Sequence, residues 1–227
     1  MSYEYEINDL AKEEAWRMFR IIGELVEGFD GLSGVDPAVS IYGSARIGPG
    51  DDLYKKTEEI AQRLGENGFS IITGGGPGVM EAANRGAAQA GVASIGLNIL
   101  LPEEQACNVY ATQSMTFRHF FVRKVMLVKY ATAFVIMPGG LGTLDELTEV
   151  LTLIQTHKIR PFPVLLFNSD YWKGLLDWLR ISVLAWGFIS EEDFSLLRVC
   201  DETDDIIDTI CTWYKKQEIV GKKALSG

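Results

Sequence analysis

Three glycine-rich turns are the segments of this chain best suited to bind a small anion. They are Gly43-Ser44-Ala45, Gly74-Gly75-Gly76-Pro77-Gly78 and Pro138-Gly139-Gly140-Leu141-Gly142-Thr143, each between an apolar stretch and a helical pattern. Glycine permits positive φ angles and lets a ligand approach the main chain closely. The unpaired N–H groups at the start of the following helix, aided by the helix dipole, attract phosphate. The turns, with Ser44 and Gly75 among the contacts, therefore predict a phosphate site.

Neither common nucleotide-binding signature is present. The pattern G-x-G-x-x-G fails at residues 76–81, because Glu81 stands where the third glycine is required. No G-x-x-x-x-G-K-[ST] segment occurs. The turns therefore indicate neither a dinucleotide fingerprint nor a P-loop.

Two features of these turns also have a purely structural interpretation. Thr143 and Glu146 fit the T-x-x-E pattern of a capping box, in which both side chains bind N–H groups at a helix start. Pro77 fits the first turn of a helix, where its fixed φ is favourable. Both interpretations stay open beside the anion-binding one.

A cluster of basic side chains precedes the last glycine-rich turn. It consists of Arg118, His119, Arg123, Lys124 and Lys129, all within one predicted helix. A solvated basic face is one explanation. The other is an arginine near the strand ends, which can bind phosphate in a bidentate manner or orient a carboxylate.

Apolar strands, the first predicted at Ala38–Tyr42, alternate with helices up to a last predicted helix that starts at Thr203. Among the helices between them, the pattern predicts one over 52–66, one over 143–156 and one over 171–185. Strands that are apolar throughout are typical of a parallel sheet covered on both faces. The pattern predicts an α/β fold with a doubly wound, Rossmann-like, mostly parallel sheet. We expect an N-terminal helical extension at 1–36, with a helix over 8–28 that covers a sheet edge or a dimer surface, and a single domain at 37–227.

Composition limits the possible ligands and compartments. The formal net charge is −10, which disfavours an extended nucleic-acid partner. Three cysteines and two histidines offer neither a disulfide framework nor a His-rich metal site. No signal peptide and no apolar run long enough to span a membrane is apparent. We therefore expect a cytoplasmic protein.

Taken together, three segments closely resemble the LOG ("Lonely guy") family of phosphoribohydrolases, whose members are often labelled lysine decarboxylases. They are Gly74-Gly75-Gly76-Pro77-Gly78-Val79-Met80-Glu81-Ala82-Ala83, then Arg123-Lys124, then Pro138-Gly139-Gly140-Leu141-Gly142-Thr143-Leu144-Asp145-Glu146. The last segment matches the family pattern P-G-G-x-G-T-x-x-E without a gap. The resemblance extends from about Ser40 to Trp213.

The resemblance implies cleavage of a nucleoside 5′-monophosphate, such as AMP or a cytokinin riboside 5′-monophosphate, to the free base and ribose 5-phosphate. It implies no metal or organic cofactor, and a homodimer or higher homo-oligomer with the site near the subunit interface. By motif, Arg123 and Glu146 would be the catalytic pair. The substrate would contact Gly139, Gly140, Leu141, Gly142, Thr143, Lys124 and Gln105.

The chain departs from plant-type members at three points. Phe121 replaces a histidine two residues before the arginine, Glu81 replaces a glycine, and the N-terminal helix is additional. In these features the chain resembles a longer bacterial branch of the family, so the base that the substrate carries is left open. The main alternative is a non-catalytic nucleotide or molybdenum-cofactor carrier on the same fold. Amino-acid decarboxylation would need a pyridoxal-binding lysine in a recognisable setting, which is not evident.

Overall fold

The computed structural model describes residues 14–101 and 106–225 of the chain. Its strands form one seven-stranded sheet in the order β4-β3-β2-β1-β5-β6-β7. Every strand pair described in it is parallel. The strands are β1 (Ala38–Tyr42), β2 (Ser70–Thr73), β3 (Ser94–Ile99), β4 (Gln113–Phe117), β5 (Ala133–Ile136), β6 (Val164–Phe167) and β7 (Leu197–Cys200).

Helices connect the strands. They are α1 (Glu14–Gly31), α2 (Asp52–Glu66), α3 (Val79–Gln89), α4 (Phe120–Lys129), α5 (Leu141–Gln155), α6 (Ser169–Trp178), α7 (Glu191–Phe194) and α8 (Thr203–Leu225), with a π-helical segment at Leu179–Leu184. The predicted α/β fold is confirmed. The sequence did not predict the short α7, and it predicted a single helix where α6 gives way to the π-helical segment.

The core consists of two layers, one on each face of the sheet. Along β6, Val164 and Leu166 belong to the layer that packs against α4, α5 and α6. Leu165 and Phe167 belong to the opposite layer, with residues of α2, α3 and α8. Successive side chains of a strand point to opposite faces, so a strand buried on both sides must be apolar at every position. That requirement explains the uninterrupted apolar strands of the sequence.

The centre of the sheet lies between β1 and β5. The chain builds the sheet outward from β1 to β4, and then returns to place β5 on the other side of β1. Tyr42 and Ile136, the last residues of β1 and β5, are register partners. The connections after these two strands run to opposite sides, which leaves a crevice at their carboxyl ends. The first and third glycine-rich turns leave the sheet at this crevice.

Helix α1 lies against α4 and the end of β4. A side chain at Gly28 would collide with Met126 of α4, and Gln113 of β4 donates a hydrogen bond to the carbonyl of Gly31 at 2.6 Å. The prediction that α1 ends at Gly28 is wrong, because this glycine allows close packing and the helix continues to Gly31. The predicted helix start, residues 8–13, lies outside the described residues.

None of the described helices combines the length and apolar composition of a membrane-spanning segment.

Candidate active site

The three glycine-rich turns are joined through Ser44. Its N–H donates to the carbonyl of Pro138 at 3.0 Å, and its own carbonyl accepts from the N–H of Val79 at 2.9 Å. These two bonds connect the turn after β1 with the turn after β5 and with the start of α3. The turns therefore form one continuous floor at the carboxyl ends of β1, β2 and β5.

The turn after β5 leads directly into α5, whose N-cap residue is Gly140. The N–H groups of Thr143 and Leu144 both donate to the carbonyl of Gly140. Among the described residues, no hydrogen bond uses the N–H groups of Leu141 and Gly142. These groups point out of the helix start, so they are available to an anion.

The capping-box interpretation of Thr143 and Glu146 is wrong. The helix starts at Leu141, which makes Thr143 its third residue, and no side chain caps Gly140. Pro77 is likewise not in a first turn, because α3 starts at Val79 after Gly78, whose φ is 71°. Glycine is required at 78, since a Cβ there would collide with the main chain of Ser44 and Ala45.

Arg123 of α4 and Glu146 of α5 face each other across the crevice. Arg123 Nη2 lies 3.8 Å from Glu146 Oε1, and the two side chains are 15% and 7% exposed. Arg123 Nη1 lies beside Gly74, and the guanidinium is stacked 5.3 Å from the centre of the Phe120 ring. Arg123 Nε and Glu146 Oε2 are buried and have no hydrogen-bond partner among the described residues. Buried polar atoms without a partner are uncommon, and these two belong to side chains that line the cavity of this crevice.

Burial governs the ionisation of this pair. It raises the pKa of Glu146 to about 7, although the charges of Lys124 and Arg123 act in the opposite direction. Burial also lowers the pKa of Arg123, with Glu146 opposing the shift. Tyr42 is next to the pair, and burial together with the charge of Glu146 raises the pKa of its hydroxyl. A carboxyl group with a pKa near 7 can exchange protons at neutral pH, as a general acid or base must.

The start of α4 is fixed by Glu24 of α1. Glu24 Oε1 and Oε2 accept the N–H groups of Arg118 and His119, each at 3.2 Å. Nδ1 of the buried His119 lies 3.1 Å from Glu24 Oε2. The carboxylate thus occupies the N-terminal end of α4, where the helix dipole favours a negative charge. Arg123 lies one turn further along this helix.

The crevice contains a cavity of about 640 Å³. Of the predicted site residues, Arg123, Glu146, Ser44, Gly140, Leu141, Gly142 and Thr143 line it. This set comprises both members of the predicted catalytic pair and the start of α5. The cavity volume lies within the usual range for small-molecule sites.

Three predicted contacts are not among the lining residues. Lys124 points away from the cavity, with Nζ 2.7 Å from Asp145 and 3.1 Å from Glu149. Gly75 is turned toward β3, and its N–H donates to Thr73 Oγ1 at 3.0 Å.

The third, Gly139, is buried in the floor, where a Cβ would collide with Thr143 and Gly43. Its carbonyl accepts a hydrogen bond from the Tyr171 hydroxyl at 2.5 Å. Gln105 lies outside the described residues.

Gly43, Ala45 and Gly74 of the predicted turns also line the cavity, and the sequence did not predict the four other lining residues, Tyr42, Arg46, Met80 and Leu127. Arg46 adds a second cation to the cavity, and its position three residues after Gly43 was a usable signal. Tyr42 and Leu127 looked like ordinary core residues, because only the strand order brings β1 and α4 next to α5.

Comparisons with known proteins identify similar chains. The sequence model of the family described as "Possible lysine decarboxylase" matches residues 80–210, more than half of the chain. The cytokinin riboside 5′-monophosphate phosphoribohydrolase LOG of Oryza sativa subsp. japonica is 33% identical over 159 residues. That match spans 68% of this chain and 64% of the rice protein, less than two thirds of its length.

A bacterial relative and a solved structure extend the comparison. The cytokinin riboside 5′-monophosphate phosphoribohydrolase of Rhodococcoides fascians is 25% identical over 179 residues, 76% of this chain and 88% of that protein. The molybdenum cofactor binding protein of Rippkaea orientalis superposes with a TM-score of 0.58 at 21% identity, over 78% of this chain and 96% of that one. At this identity the structural likeness concerns the fold alone.

Proposed function

Because this chain belongs to the family described as possible lysine decarboxylases, which includes the LOG phosphoribohydrolases, we propose that it hydrolyses the N-glycosidic bond of nucleoside 5′-monophosphates. The products are the free base and ribose 5-phosphate. We include AMP and cytokinin riboside 5′-monophosphates in the proposed substrate class, since the relatives from rice and Rhodococcoides fascians are named for the latter.

One observation carries the proposal. Arg123 and Glu146 are both buried, lie 3.8 Å apart and keep one unpartnered polar atom each beside the cavity. A structural ion pair would be expected to close to hydrogen-bond distance and to satisfy these atoms. An open pair next to the free N–H groups of α5 fits a ligand with a phosphate and a reacting centre.

The proposed mechanism assigns one task to each group. The N–H groups of Leu141 and Gly142 bind the 5′-phosphate, with Arg46 as a second cation at the rim. This anchor holds the anomeric carbon near Glu146. As the C–N bond breaks, positive charge develops on the ribose, and the ionised carboxylate stabilises it.

Water completes the reaction. Glu146 accepts a proton from the water whose oxygen bonds to the anomeric carbon. The base leaves with the electron pair of the C–N bond and takes up a proton from solvent, and Glu146 then releases its own proton to solvent. Arg123 orients Glu146 or binds a substrate hydroxyl group. Lys124 acts through its charge, since it bridges to Asp145 and Glu149 while favouring the ionised form of Glu146.

The test is base release from a panel of nucleoside 5′-monophosphates, including AMP and isopentenyl-AMP, measured by chromatography. The corresponding nucleosides are controls for phosphate recognition. We expect release from the monophosphates only, and a loss of about 100-fold or more in Glu146→Gln. Glu66→Gln, an exposed carboxylate at the end of α2, is the matched control and should retain full activity.

Two results would contradict the proposal. Wild-type turnover in a folded Glu146→Gln protein would remove the carboxylate from the mechanism. Tight nucleotide binding without release of base from any substrate would instead favour the non-catalytic carrier function.

We also propose a homo-oligomer with the site near a subunit interface, and a cytoplasmic location. The first is supported by the exposed Phe121, Val125 and Leu141 on the helices that bear the site. The second is supported by the three cysteines, all of which are free thiols.

A further inference from the structure

The outward face of α1 carries a row of large apolar side chains. Trp16, Phe19, Ile22, Val26 and Phe29 are between 39% and 69% exposed. Their spacing of three or four residues places them on one side of the helix, and we refer to these five residues as the α1 stripe. A continuous apolar surface of this kind marks an interaction site more often than a solvated surface.

Most of the α1 stripe takes no part in attaching the helix to its own fold, although Lys129 of α4 lies over the ring of Phe29, 5.4 Å from its centre. That task falls to the opposite side, where Ile21 and Leu25 pack on the core and Gly28 lies against Met126. Glu24, also on the inward side, binds the start of α4. Helix α1 is therefore apolar on two sides, and the packing seen among the described residues uses mainly the inward side.

The stripe is nearly palindromic about its middle, at Ile22 and Gly23. In an antiparallel pair of α1 helices, Trp16 of one copy is level with Phe29 of the other, and Phe19 with Val26. Ile22 is then level with Gly23 of the second copy. Gly23 is exposed, and the space beside its Cα is open, so the two helices can approach closely at the crossing point.

The charges beside the stripe favour the same arrangement. Arg20 and Glu27 are exposed and lie two helical turns apart along one flank. An antiparallel pair brings Arg20 of each copy close to Glu27 of the other. In a parallel pair related by a two-fold axis, this flank of one copy lies on the opposite side of the contact from the same flank of the other, so Arg20 and Glu27 would not meet.

We propose that the α1 stripe is a self-association surface on which α1 of a second copy packs antiparallel across a two-fold axis, with reciprocal Arg20–Glu27 contacts. Such an isologous contact uses the same patch twice, as two-fold symmetry requires. The net charge of −10 and the acidic flank residue disfavour an anionic membrane as the partner. The proposal concerns assembly and does not depend on hydrolytic activity.

The first experiment compares molar mass by sedimentation equilibrium for the wild type and Phe19→Asp. We expect the mass of the assembly to halve and the dissociation constant of this contact to rise by about 30-fold or more. Val109→Asp is the matched control, because Val109 is a strongly exposed apolar residue in the segment between β3 and β4. An unchanged mass in Phe19→Asp would overturn the proposal.

The second experiment exchanges the charges. In Arg20→Glu alone, and in Glu27→Arg alone, every reciprocal contact becomes repulsive, so each protein should self-associate about tenfold more weakly. A mixture of the two variants restores both opposite-charge contacts, and we expect mixed assemblies at close to wild-type affinity. Equal association of the single variants and the mixture would exclude the antiparallel arrangement.

The third measurement distinguishes a lipid partner. Vesicles containing phosphatidylserine are sedimented with the wild type and with Phe19→Asp. We expect no association in either case. Binding by a monomeric wild type that is lost in Phe19→Asp would assign the stripe to a membrane surface and overturn the proposal. Base release in the same variants reports separately on the proposed hydrolase.

Discussion

Nη2 of Arg123 lies 3.8 Å from Oε1 of Glu146, too far for a hydrogen bond, although both side chains are largely buried. Each charged group has lost part of its hydration, and at this distance its attraction to the other group only partly compensates for that loss. Arg123 Nε and Glu146 Oε2 also keep unused hydrogen-bonding capacity beside the cavity that both residues line. The first two predictions follow from this open pair.

Replacing Glu146 by glutamine should alter how stability depends on pH. The pKa of Glu146 is about 7 in the folded protein, against an ordinary value of 4.5. At a pH between these two values, the folded protein still holds a proton that the unfolded chain has lost. The stability contributed by this group is fully present below pH 4.5 and is lost as the pH rises to 7. The Glu146→Gln variant has no titrating group at this position, so its stability does not fall in this way as the pH rises.

The free energy of unfolding of the variant, relative to the wild type, should therefore rise by up to about 3 kcal/mol between pH 4.5 and pH 8. Denaturant titrations at several pH values measure this difference. A constant difference across that range would show that the carboxyl group titrates normally.

The rate of base release should also depend on the ionisation of Glu146. If the carboxylate stabilises the ribosyl cation and accepts a proton from water, kcat/KM rises by about tenfold per pH unit below 7 and levels off above it. The residual activity of Glu146→Gln should lack this inflection. A rate that instead falls as the pH passes 7 would make the protonated carboxyl group the reactive form.

A side chain at position 139 should damage the floor of the cavity. In Gly139→Ala the new Cβ meets Thr143 and the main chain of Gly43, so we expect a loss of about 1–3 kcal/mol in stability and a KM raised about tenfold or more. Gly174→Ala is the control. Its Cβ enters open space within α6, and it should stabilise the protein by about 0.5–1 kcal/mol. Thermal unfolding and steady-state kinetics of both variants provide the comparison.

Glu24 should influence catalysis without contacting the substrate. Glu24→Ala removes the acceptor of two N–H groups at the start of α4, and we expect a cost of about 1–3 kcal/mol in stability. Because α4 carries Arg123, kcat should fall as well. Glu24→Gln retains an acceptor and should restore most of kcat, whereas Asp30→Asn on the same helix should have no effect. Equal kcat in all three variants would limit Glu24 to a structural role.

Much of the fold was predictable, because strands buried on both faces are apolar at every position and can be recognised in the sequence. Ala38–Tyr42 and Asp52–Glu66 have the predicted bounds. The start of α5 was misplaced, because a glycine-rich turn gives no local sign of where helical hydrogen bonding begins. The helix starts inside the motif, at Leu141.

The site was predictable where one motif supplies several residues in sequence, as the turn after β5 does. Tyr42 and Leu127 were missed because they approach α5 only through the strand order, which residue spacing does not specify. The sequence also did not predict that the Lys124 side chain points away from the cavity. Adjacent residues on a helix point about 100° apart, so Arg123 and its neighbour cannot both face the cavity.

The position of the cavity has a consequence for how the protein unfolds. Its walls come from the turns after β1 and β2 on one side and from α5, which follows β5, on the other. A small molecule bound there bridges the two halves of the sheet at their junction, so it binds only when both halves are folded and docked. At about 100 times its dissociation constant such a ligand adds roughly 2.7 kcal/mol to the free energy of unfolding. Resistance to proteolysis should then rise in both halves together, because neither can open while the ligand remains bound.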